Sequence, residues 1–346
     1  MDSVIDVIDV TKRYGPSRGV QGVSFSVRRG EVLGLLGPNG AGKTTTLRVI
    51  TGFLPANGGR VLVEGHDIWE EPYEVRRRIG YLPDNPPLYP EMTVYEYLNF
   101  MGQLNELPAA RRGVRIDEVA ERLQLGDVLG RLIGRLSRGY RQRVGLAQAV
   151  LHEPPVLICD EPTVGLDPRQ IAEMRELIRS FGQEHAVIFS SHILHEVRLL
   201  CSEIVIIHRG QVVTQGSPQD LTERLHGGTT QWLVRAKGPG DAVAAALRSV
   251  PGVHAVQEQP SPEGEAETAG VVRLLVEAGS TGGEDLADRL FGALAAGGWP
   301  ARELRQLETS LEDVFLELTA AEQASSTTVA EPAHAKAGPQ RGGGRR

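Results

Sequence analysis

Short apolar runs alternate with longer amphipathic stretches through the first 225 residues of the chain. Runs rich in Val, Ile and Leu that end at Gly, Pro or Asp are typical of buried strands. The clearest are EVLGLLG (31–37), VLICD (156–160) and AVIFSS (186–191). Helical patterns at about 43–51 and 168–183 follow the first two of these runs. Strands that alternate with helices predict a mostly parallel sheet with helices on both faces.

The stretch from residue 86 to 151 has a helical pattern and no clear strand. Gly102, Pro108 and Gly126 are expected to interrupt it, because Gly and Pro are the residues that most often break a helix. We therefore expect a helical subdomain at about residues 86–150 within an α/β domain that spans residues 1–225.

The pattern changes after Leu225. Residues 226–321 predict strand, helix, strand, strand, helix and strand, followed by one more helix, SLEDVFLELTAA. A βαββαβ order is typical of a ferredoxin-like α+β domain. Residues 322–346 have almost no large apolar side chains, so they would form a disordered tail.

Composition narrows the classes of partner. The net charge is −7 and the pI is about 5.8, which argues against nucleic acid as the main partner. Cys159 and Cys201 are too few for a disulfide framework and lack the spacing of a metal site. No apolar run approaches the ~20 residues that a membrane span needs, and MDSVIDVIDV does not resemble a signal peptide. A cytoplasmic chain that reaches a membrane only through a partner is expected.

The octapeptide GPNGAGKT (37–44) fits the phosphate-loop pattern G-x-x-x-x-G-K-[ST] at every fixed position. It follows a predicted strand and begins a predicted helix, which disfavours the alternative of a glycine-rich turn with a coincidental lysine. Backbone N–H groups and the helix N-terminus would bind phosphate, the lysine would contact the β- and γ-phosphates, and the threonine would bind Mg²⁺. The predicted phosphate-binding residues are Gly37, Pro38, Asn39, Gly40, Ala41, Gly42, Lys43, Thr44 and Thr45.

An acidic pair ends the strand VLICD. Asp160 is expected to hold Mg²⁺ together with Thr44, and Glu161 is expected to take a proton from an attacking water. The alternative, that the two carboxylates simply end a strand, is disfavoured by the phosphate loop elsewhere in the chain.

The motif LSRGYRQR (136–143) begins a second predicted helix. Ser137 is a good N-cap, Gly139 would leave space above the first turn, and together they would form a second anion site. Since one nucleotide has one γ-phosphate, two chains arranged head to tail would place Ser137 of one chain over the nucleotide of the other. Read alone, the motif is also compatible with an ordinary N-cap. The apolar face of this helix would contain Val144, Ala147, Val150 and Leu151.

The order of these motifs over residues 4–225 resembles that of ATP-binding-cassette (ABC) ATPases. The forms YLPDNPP, LSRGYRQRVGLAQA and SLEDVFLEL are similar to those of single-cassette subunits of small bacterial exporters, of the gliding-motility, sodium-extrusion and drug-efflux type. The resemblance implies a RecA-type P-loop ATPase core that uses ATP and Mg²⁺. It also implies a homodimer or paired cassette bound to an integral membrane permease, at the inner face of the cell membrane.

The resemblance also implies roles for three further residues. Tyr14 would stack on adenine, although a strand-edge aromatic is the alternative. Asp167, in GLD, would lie at the dimer seam. His192 would contact the γ-phosphate, although it could instead be an ordinary residue at the start of a helix.

Two motifs depart from the family pattern. Asp84 stands where the family usually has a glutamine that reaches the metal, and it is kept as a predicted metal ligand with Thr44 and Asp160. Arg138 and Tyr140 replace the Gly and Gln of the commonest LSGGQ form. The sequence therefore predicts an ATPase subunit that powers transport, with export favoured. The alternatives are a soluble ATPase of the same fold that acts on ribosomes or DNA, and a small-molecule kinase.

Overall fold

The computed structural model describes residues 3–15, 19–225, 229–259, 270–279 and 283–307. The strands are β1 (Ser3–Arg13), β2 (Gly19–Arg28), β3 (Val32–Leu36), β4 (Gly58–Val63), β5 (His66–Asp67), β6 (Ile79–Leu82), β7 (Val156–Asp160), β8 (Ala186–Ser191), β9 (Glu203–His208), β10 (Gln211–Gly216), β11 (Thr229–Lys237), β12 (Val253–Glu258), β13 (Val271–Gly279) and β14 (Ala301–Leu307). The helices are α1 (Lys43–Ile50), α2 (Pro72–Arg77), α3 (Val94–Leu104), α4 (Ala109–Arg122), α5 (Arg138–Val150), α6 (Pro168–Gly182), α7 (Leu194–Leu200), α8 (Pro218–Leu225), α9 (Gly240–Arg248) and α10 (Gly283–Ala296).

The central sheet has the strand order β10-β9-β3-β8-β7-β6. All neighbouring pairs are parallel except β10 with β9, at one edge. Every residue of β3, β7 and β8 is buried, as expected for parallel strands covered on both faces. The predicted mostly parallel sheet is confirmed for this part of the chain.

A second, antiparallel sheet with the order β2-β1-β4-β5 covers one face of the central sheet. Apolar residues of the two sheets form one cluster, in which Val7 and Val23 join Leu33 and Ile188. The other face of the central sheet packs against helices. The sequence analysis did not predict that these strands form a separate sheet.

The stretch predicted as a helical subdomain contains α3, α4 and α5. The expectation that Gly102 interrupts the helical pattern is wrong, because Gly102 lies inside α3, where it allows close packing. A Cβ at this position would lie 2.8 Å from Cδ of Arg112. The chain turns instead before Pro108, which is the N-cap of α4, and Gly126 begins a short 3-10 helix. Thr93 and Glu96 form a capping box that starts α3.

The apolar face predicted for α5 is confirmed. Val144, Ala147 and Val150 are all buried in the core between the helices and the central sheet, and so is Leu151, the C-cap residue. Among the described residues, the structure contains no helix with the length and apolar character of a membrane span.

Residues 229–307 contain β11, α9, β12, β13, α10 and β14 in that order, with gaps in the description at 260–269 and 280–282. The four strands form an antiparallel sheet ordered β12-β13-β11-β14. Alternate residues of β11, Trp232, Val234 and Ala236, are buried in a cluster with apolar residues of α9 and α10. The helix predicted at 310–321, the tail at 322–346 and most of the insert at 260–270 lie outside the described residues.

Candidate functional site

Three loops meet at one edge of the central sheet, because each follows the carboxyl end of a neighbouring parallel strand. The register pairs Leu36 of β3 with Ser191 of β8, and Asp160 of β7 with Ser190. The phosphate loop, the acidic pair and His192 therefore lie beside one another. Ligands of open α/β sheets bind in this position, outside the carboxyl ends of the strands.

Three glycines shape the phosphate loop. Gly40 and Gly42 have φ angles of +83° and +114°, in the left-handed region that favours glycine. A Cβ at Gly42 would lie 2.6 Å from Cγ1 of Val20, and a Cβ at Gly37 would lie 2.2 Å from the carbonyl oxygen of Ile207. Backbone conformation and close packing therefore both require glycine in this loop.

The turn between β9 and β10 supports the phosphate loop. The Gly210 amide donates to the Ala41 carbonyl at 2.8 Å, and the Gly210 carbonyl accepts from the Gln21 amide at 2.7 Å. A Cβ at Gly210 would lie 2.2 Å from the carbonyl oxygen of Gly19. The Arg-Gly pair that marks this turn is visible in the sequence, but its contact with the loop depends on the tertiary fold.

The ammonium group of Lys43 is almost buried and has three oxygen neighbours. Nζ donates to the carbonyl oxygens of Gly37 at 2.7 Å and Pro38 at 3.3 Å, and it lies 3.1 Å from Oε1 of Glu161. The two charged side chains are 5% and 13% exposed. Because a buried charge is tolerated only with partners, this cage holds the cation beside the loop that would receive phosphate.

Asp160 is held by two hydroxyl groups. Ser190 Oγ lies 2.6 Å and Thr44 Oγ1 lies 3.4 Å from the carboxylate oxygen Oδ1. Ser190 Oγ also accepts from the Glu161 amide at 3.0 Å. Burial raises the pKa of Asp160, while the bonds from Ser190 and Thr44 act in the opposite direction. Ser190 was not predicted as a site residue, although it lies two residues before His192 at the end of a buried strand.

Glu161 connects Lys43 with His192. Nδ1 of His192 lies 2.7 Å from Oε2 of Glu161, and the other oxygen faces Lys43. Glu161 has a φ angle of 49°, which is uncommon for a residue with a side chain and stores strain. The structure thus joins the predicted base, the predicted phosphate-contacting histidine and the loop lysine in one chain of contacts.

A buried carboxylate fastens together the two loops that contain Glu161 and His192. Oε2 of Glu196 accepts from Thr163 Oγ1 at 2.6 Å and from Ser191 Oγ at 3.4 Å. Thr163 follows Glu161 by two residues, and Ser191 precedes His192. Sequence reasoning missed Glu196, because a glutamate in an amphipathic helix usually faces solvent.

A cavity of about 900 Å³ opens at this edge of the sheet. Most of the predicted ATP-site residues line it, together with three that were not predicted, Gly19, Val164 and Arg209. The lining residues are Tyr14, Gly19, Asn39, Gly40, Gly42, Lys43, Thr44, Thr45, Asp84, Glu161, Val164, His192 and Arg209. Tyr14 is exposed, and the Lys12 ammonium lies 5.6 Å from its ring centroid.

The residues present fit a magnesium ion that is bound together with a nucleotide. Within the described ranges there is no group of three or more His, Cys, Asp or Glu side chains arranged to hold a metal alone. Magnesium bound with phosphates needs only one or two protein oxygens, since phosphate and water supply the other ligands. The Thr44 hydroxyl and the Asp160 carboxylate are such oxygens. Asp84, the third predicted ligand, lines the same cavity.

Ser137, Gly139 and Asp167 do not line this cavity. Ser137 caps α5, where its Oγ accepts from the Tyr140 amide at 3.4 Å, and Asp167 caps α6, where it accepts from the Gln170 amide at 2.9 Å. The expectation of free space above Gly139 is wrong, because a Cβ there would lie 2.7 Å from Oε1 of Gln170. The glycine accommodates a neighbouring helix of its own chain.

The sheet order, the phosphate loop and the acidic strand end define a P-loop nucleotide-binding protein of the α/β class. A family model described as ABC transporter matches residues 20–164. The linearmycin resistance ATP-binding protein LnrL of Bacillus subtilis (strain 168) is 34% identical over 90% of this chain and 96% of its own length. The daunorubicin resistance ATP-binding protein DrrA3 of Streptomyces coeruleorubidus is 35% identical over 92% of this chain and 96% of its own length.

Solved structures that each match only part of this chain give the same result. A structure described as the ATP binding subunit of an ABC transporter has a TM-score of 0.60 and 32% identity, over 65% of this chain and 94% of that chain. CbiO1 from Clostridium perfringens, part of the ABC transporter complex CbiONQ, has a TM-score of 0.59 and 28% identity, over 66% of this chain and 94% of that chain. The chain belongs to the family of ABC transporter ATP-binding proteins, as the sequence predicted.

Proposed function

We propose that this chain hydrolyses ATP with Mg²⁺ and thereby powers export through a separate membrane permease. The observation that carries the proposal is the chain of contacts from Lys43 through Glu161 to His192, beside the pair Thr44 and Asp160. The names of the two relatives, which are linearmycin and daunorubicin resistance proteins, support export as the direction of transport.

The phosphate loop would bind the nucleotide. Its N–H groups and the N-terminus of α1 face the phosphates, and Lys43 supplies a positive charge. Tyr14 would stack on adenine at the open end of the cavity. Thr44 and Asp160, with Asp84, would hold the magnesium ion, which neutralises charge on the phosphates.

Glu161 would act as the general base in hydrolysis. Its carboxylate accepts the proton of the attacking water, and His192 holds that carboxylate through Nδ1 at 2.7 Å. With Nδ1 engaged in this way, Nε2 is the ring nitrogen left to contact the γ-phosphate. An incoming γ-phosphate competes with Glu161 for the Lys43 ammonium, which would release the carboxylate for its role as base.

A second cassette would complete each site. Ser137, Gly139 and Asp167 lie outside the cavity of their own chain, although the resemblance gives them nucleotide and seam contacts. A homodimer, or a pair with a related cassette, places Ser137 of one chain over the nucleotide of the other. The N-terminus of α5 would then stabilise the γ-phosphate across the seam.

An apolar cleft between the central sheet and the helical subdomain is the proposed permease contact. Its volume is about 600 Å³, and its lining residues include Phe53, Tyr81, Pro87 and Met101. Phe53 is 70% exposed, and its ring centroid lies 5.8 Å from that of Tyr81. Exposed apolar clefts of this kind mark protein contacts. Phe53 follows α1 and Tyr81 precedes Asp84, so a permease segment here would contact two elements that lead to the nucleotide site.

Docking at this cleft would place the chain at the inner, cytoplasmic face of the cell membrane. We propose no nucleic-acid partner, since the chain is acidic. The domain limits 1–225 and 226–321 also belong to this proposal. The βαββαβ order and the sheet order β12-β13-β11-β14 support a ferredoxin-like accessory domain in the second range, with a regulatory or dimer-supporting role.

The decisive experiment asks whether a permease gene lies beside the gene for this chain, co-expresses its product with the chain and purifies the two in detergent. We expect co-purification, and ATP hydrolysis that transport substrates stimulate in proteoliposomes. Phe53→Ser should abolish co-purification and leave the ATPase rate of the isolated chain unchanged. Phe291→Ser, at an exposed phenylalanine of α10, is the matched control. Hydrolysis stimulated by ribosomes or DNA, with no membrane partner, would favour the soluble alternative.

A further inference from the structure

Two of the three residues at which this chain departs from the family pattern, Asp84 and Arg138, contact each other. Nη2 of Arg138 lies 3.5 Å from Oδ1 of Asp84, across 54 positions of sequence. The two side chains are 47% and 54% exposed. An isolated ion pair at such exposure contributes little to stability. Any role of this pair therefore depends on the other contacts that Arg138 and Asp84 make.

The helix that contains Arg138 holds Asp84 at a second point. Nε2 of Gln142 donates to the Asp84 carbonyl at 2.6 Å, and Gln142 is buried. Residues four apart on a helix lie on one face, so Arg138 and Gln142 approach Asp84 together from α5. Gln142 holds the backbone in place, while Arg138 engages the charged end of the side chain.

Arg138 is also held from its other side. A Cβ at Gly165 would lie 2.8 Å from the guanidinium carbon of Arg138, so the guanidinium packs directly over this turn. The turn leads to Asp167, which caps α6. Arg138 therefore lies between Asp84 and the turn that leads to the proposed dimer seam.

The Asp84 carboxylate has a second possible partner, because Asp84 lines the nucleotide cavity together with Thr44 and Glu161. Under the proposed function, on which this step rests, that partner is nucleotide-bound magnesium. A guanidinium and a magnesium ion are both cations, so the attraction of Asp84 to one weakens its hold on the other. Such competition is reciprocal: whatever loosens one contact favours the other by the same free energy.

We propose that Arg138 is a positioning residue that holds Asp84 against α5 until magnesium and nucleotide draw the carboxylate away. Metal binding by a chain thereby changes the contacts of the first turn of its own α5, the helix whose N-cap is Ser137. A neutral glutamine at position 84 would form no ion pair with Arg138. The charged pair Asp84 and Arg138 replaces the family's uncharged residues at both positions and makes the contact sensitive to the cation.

The test measures binding of a fluorescent, non-hydrolysable ATP analogue, once in EDTA and once in Mg²⁺. Protein is kept at concentrations at which light scattering shows monomers. The readout is the ratio of Kd in EDTA to Kd in Mg²⁺. Arg138→Gln should raise this ratio about two- to five-fold, the range expected of an exposed ion pair. Arg138→Lys, which keeps the charge, should stay near wild type, and Asp84→Asn should lower the ratio.

The double variant separates competition for Asp84 from a general effect of charge. In the Asp84→Asn background, Arg138→Gln should leave the ratio unchanged. The proposal is overturned if Arg138→Gln changes the ratio equally in the Asp84→Asn background and in the wild type. It is also overturned if Arg138→Gln alone leaves the ratio unchanged. Arg77→Gln is the matched control, since Arg77 lies 3.8 Å from Glu106 in another exposed ion pair. If the wild type binds the analogue under neither condition, the proposed function itself fails. Magnesium-dependent binding that ignores Arg138 overturns only this inference.

Discussion

The Lys43 ammonium lies 3.1 Å from Oε1 of Glu161, and both side chains are almost buried. The residue predicted to hold phosphate and the residue predicted to activate water are therefore direct partners. This contact has consequences for both of them. A variant at either position changes the charge balance of the site as well as its chemistry.

Glu161→Gln should keep ATP binding and stop turnover, because the amide cannot accept the proton of the attacking water. We expect a loss of at least about a hundred-fold in rate, the lower end of what a general base contributes. The variant should also accumulate as an ATP-bound dimer, since hydrolysis would open the closed pair. Phosphate release and light scattering with ATP measure the two effects.

The control for this variant is Glu176→Gln, on the exposed side of α6, where Glu176 pairs with Arg179. It should leave turnover and mass unchanged. Turnover at the wild-type rate in Glu161→Gln would show that another group is the base.

Lys43→Ala should weaken ATP binding and also destabilise the nucleotide-free protein. Removing one member of a buried ion pair leaves the other charge uncompensated, which costs up to about 3–5 kcal/mol. Adding Glu161→Gln to Lys43→Ala should restore much of the stability without restoring binding. Denaturant unfolding in the absence of nucleotide measures this. Equal stability of the single and double variants would contradict the importance of the pair.

Asp160→Asn should stabilise the nucleotide-free protein at pH 7.5 while it removes the extra stability that Mg²⁺ adds with ATP. Burial raises the pKa of Asp160 in the folded state, so the charged form is penalised at neutral pH. That penalty fades as the pH falls through the folded pKa towards the ordinary value of about 3.9. Each kcal/mol of such a penalty corresponds to about 2–4 °C in Tm. The difference between the variant and the wild type should therefore shrink as the pH is lowered.

Asp67→Asn is a control for which the expected change in Tm has the opposite sign. Burial of Asp67 is outweighed by hydrogen bonds from the Trp69 amide and from Arg60, which lower its pKa. Its ionised form thus stabilises the fold above the ordinary pKa, and Asp67→Asn should lower Tm at pH 7.5. A Tm change of the same sign in both variants would contradict these assignments.

Ser137 should act on the nucleotide of a second copy. Ser137→Arg alone and Lys43→Ala alone should each abolish most ATPase activity, because each homodimer then lacks an intact site. In mixed dimers both lesions fall on one composite site and leave the other whole, so mixing should restore activity. Losing one charge-assisted hydrogen bond at Ser137, as in Ser137→Ala, should slow turnover by ten- to over a hundred-fold, or about 1.5–3 kcal/mol.

Ser137 also caps α5, so the loss of a cap needs its own control. Thr93→Ala removes the cap of α3 and should lower stability by about 0.5–2 kcal/mol without changing turnover. Cross-linking confirms that mixed dimers form and reports ATP-dependent dimerisation alongside the rate. If abundant mixed dimers show no restored activity and no ATP-dependent closure, action across the seam is contradicted.

The sequence by itself determined the elements whose signals are local. The phosphate loop was predictable because a strand, a glycine-rich turn and a helix are adjacent in the chain. The buried strands β7 and β8 and the apolar face of α5 were predictable for the same reason. Backbone preferences and hydrophobic periodicity depend on residues within a few positions of each other. The position of Asp160 and Glu161 was predictable because Asp160 ends an apolar strand and Glu161 follows it directly.

The tertiary structure alone decided which distant residues meet. Ser190 reaches Asp160 across 30 positions, and Arg138 reaches Asp84 across 54. The same holds for Glu196 between the two site loops and for Gln170 above Gly139. No local pattern marks these pairs, because their proximity follows from strand order and helix packing. Free energy gained by burying distant apolar surfaces sets that order, and the polar contacts of the site form where the packed elements bring their ends together.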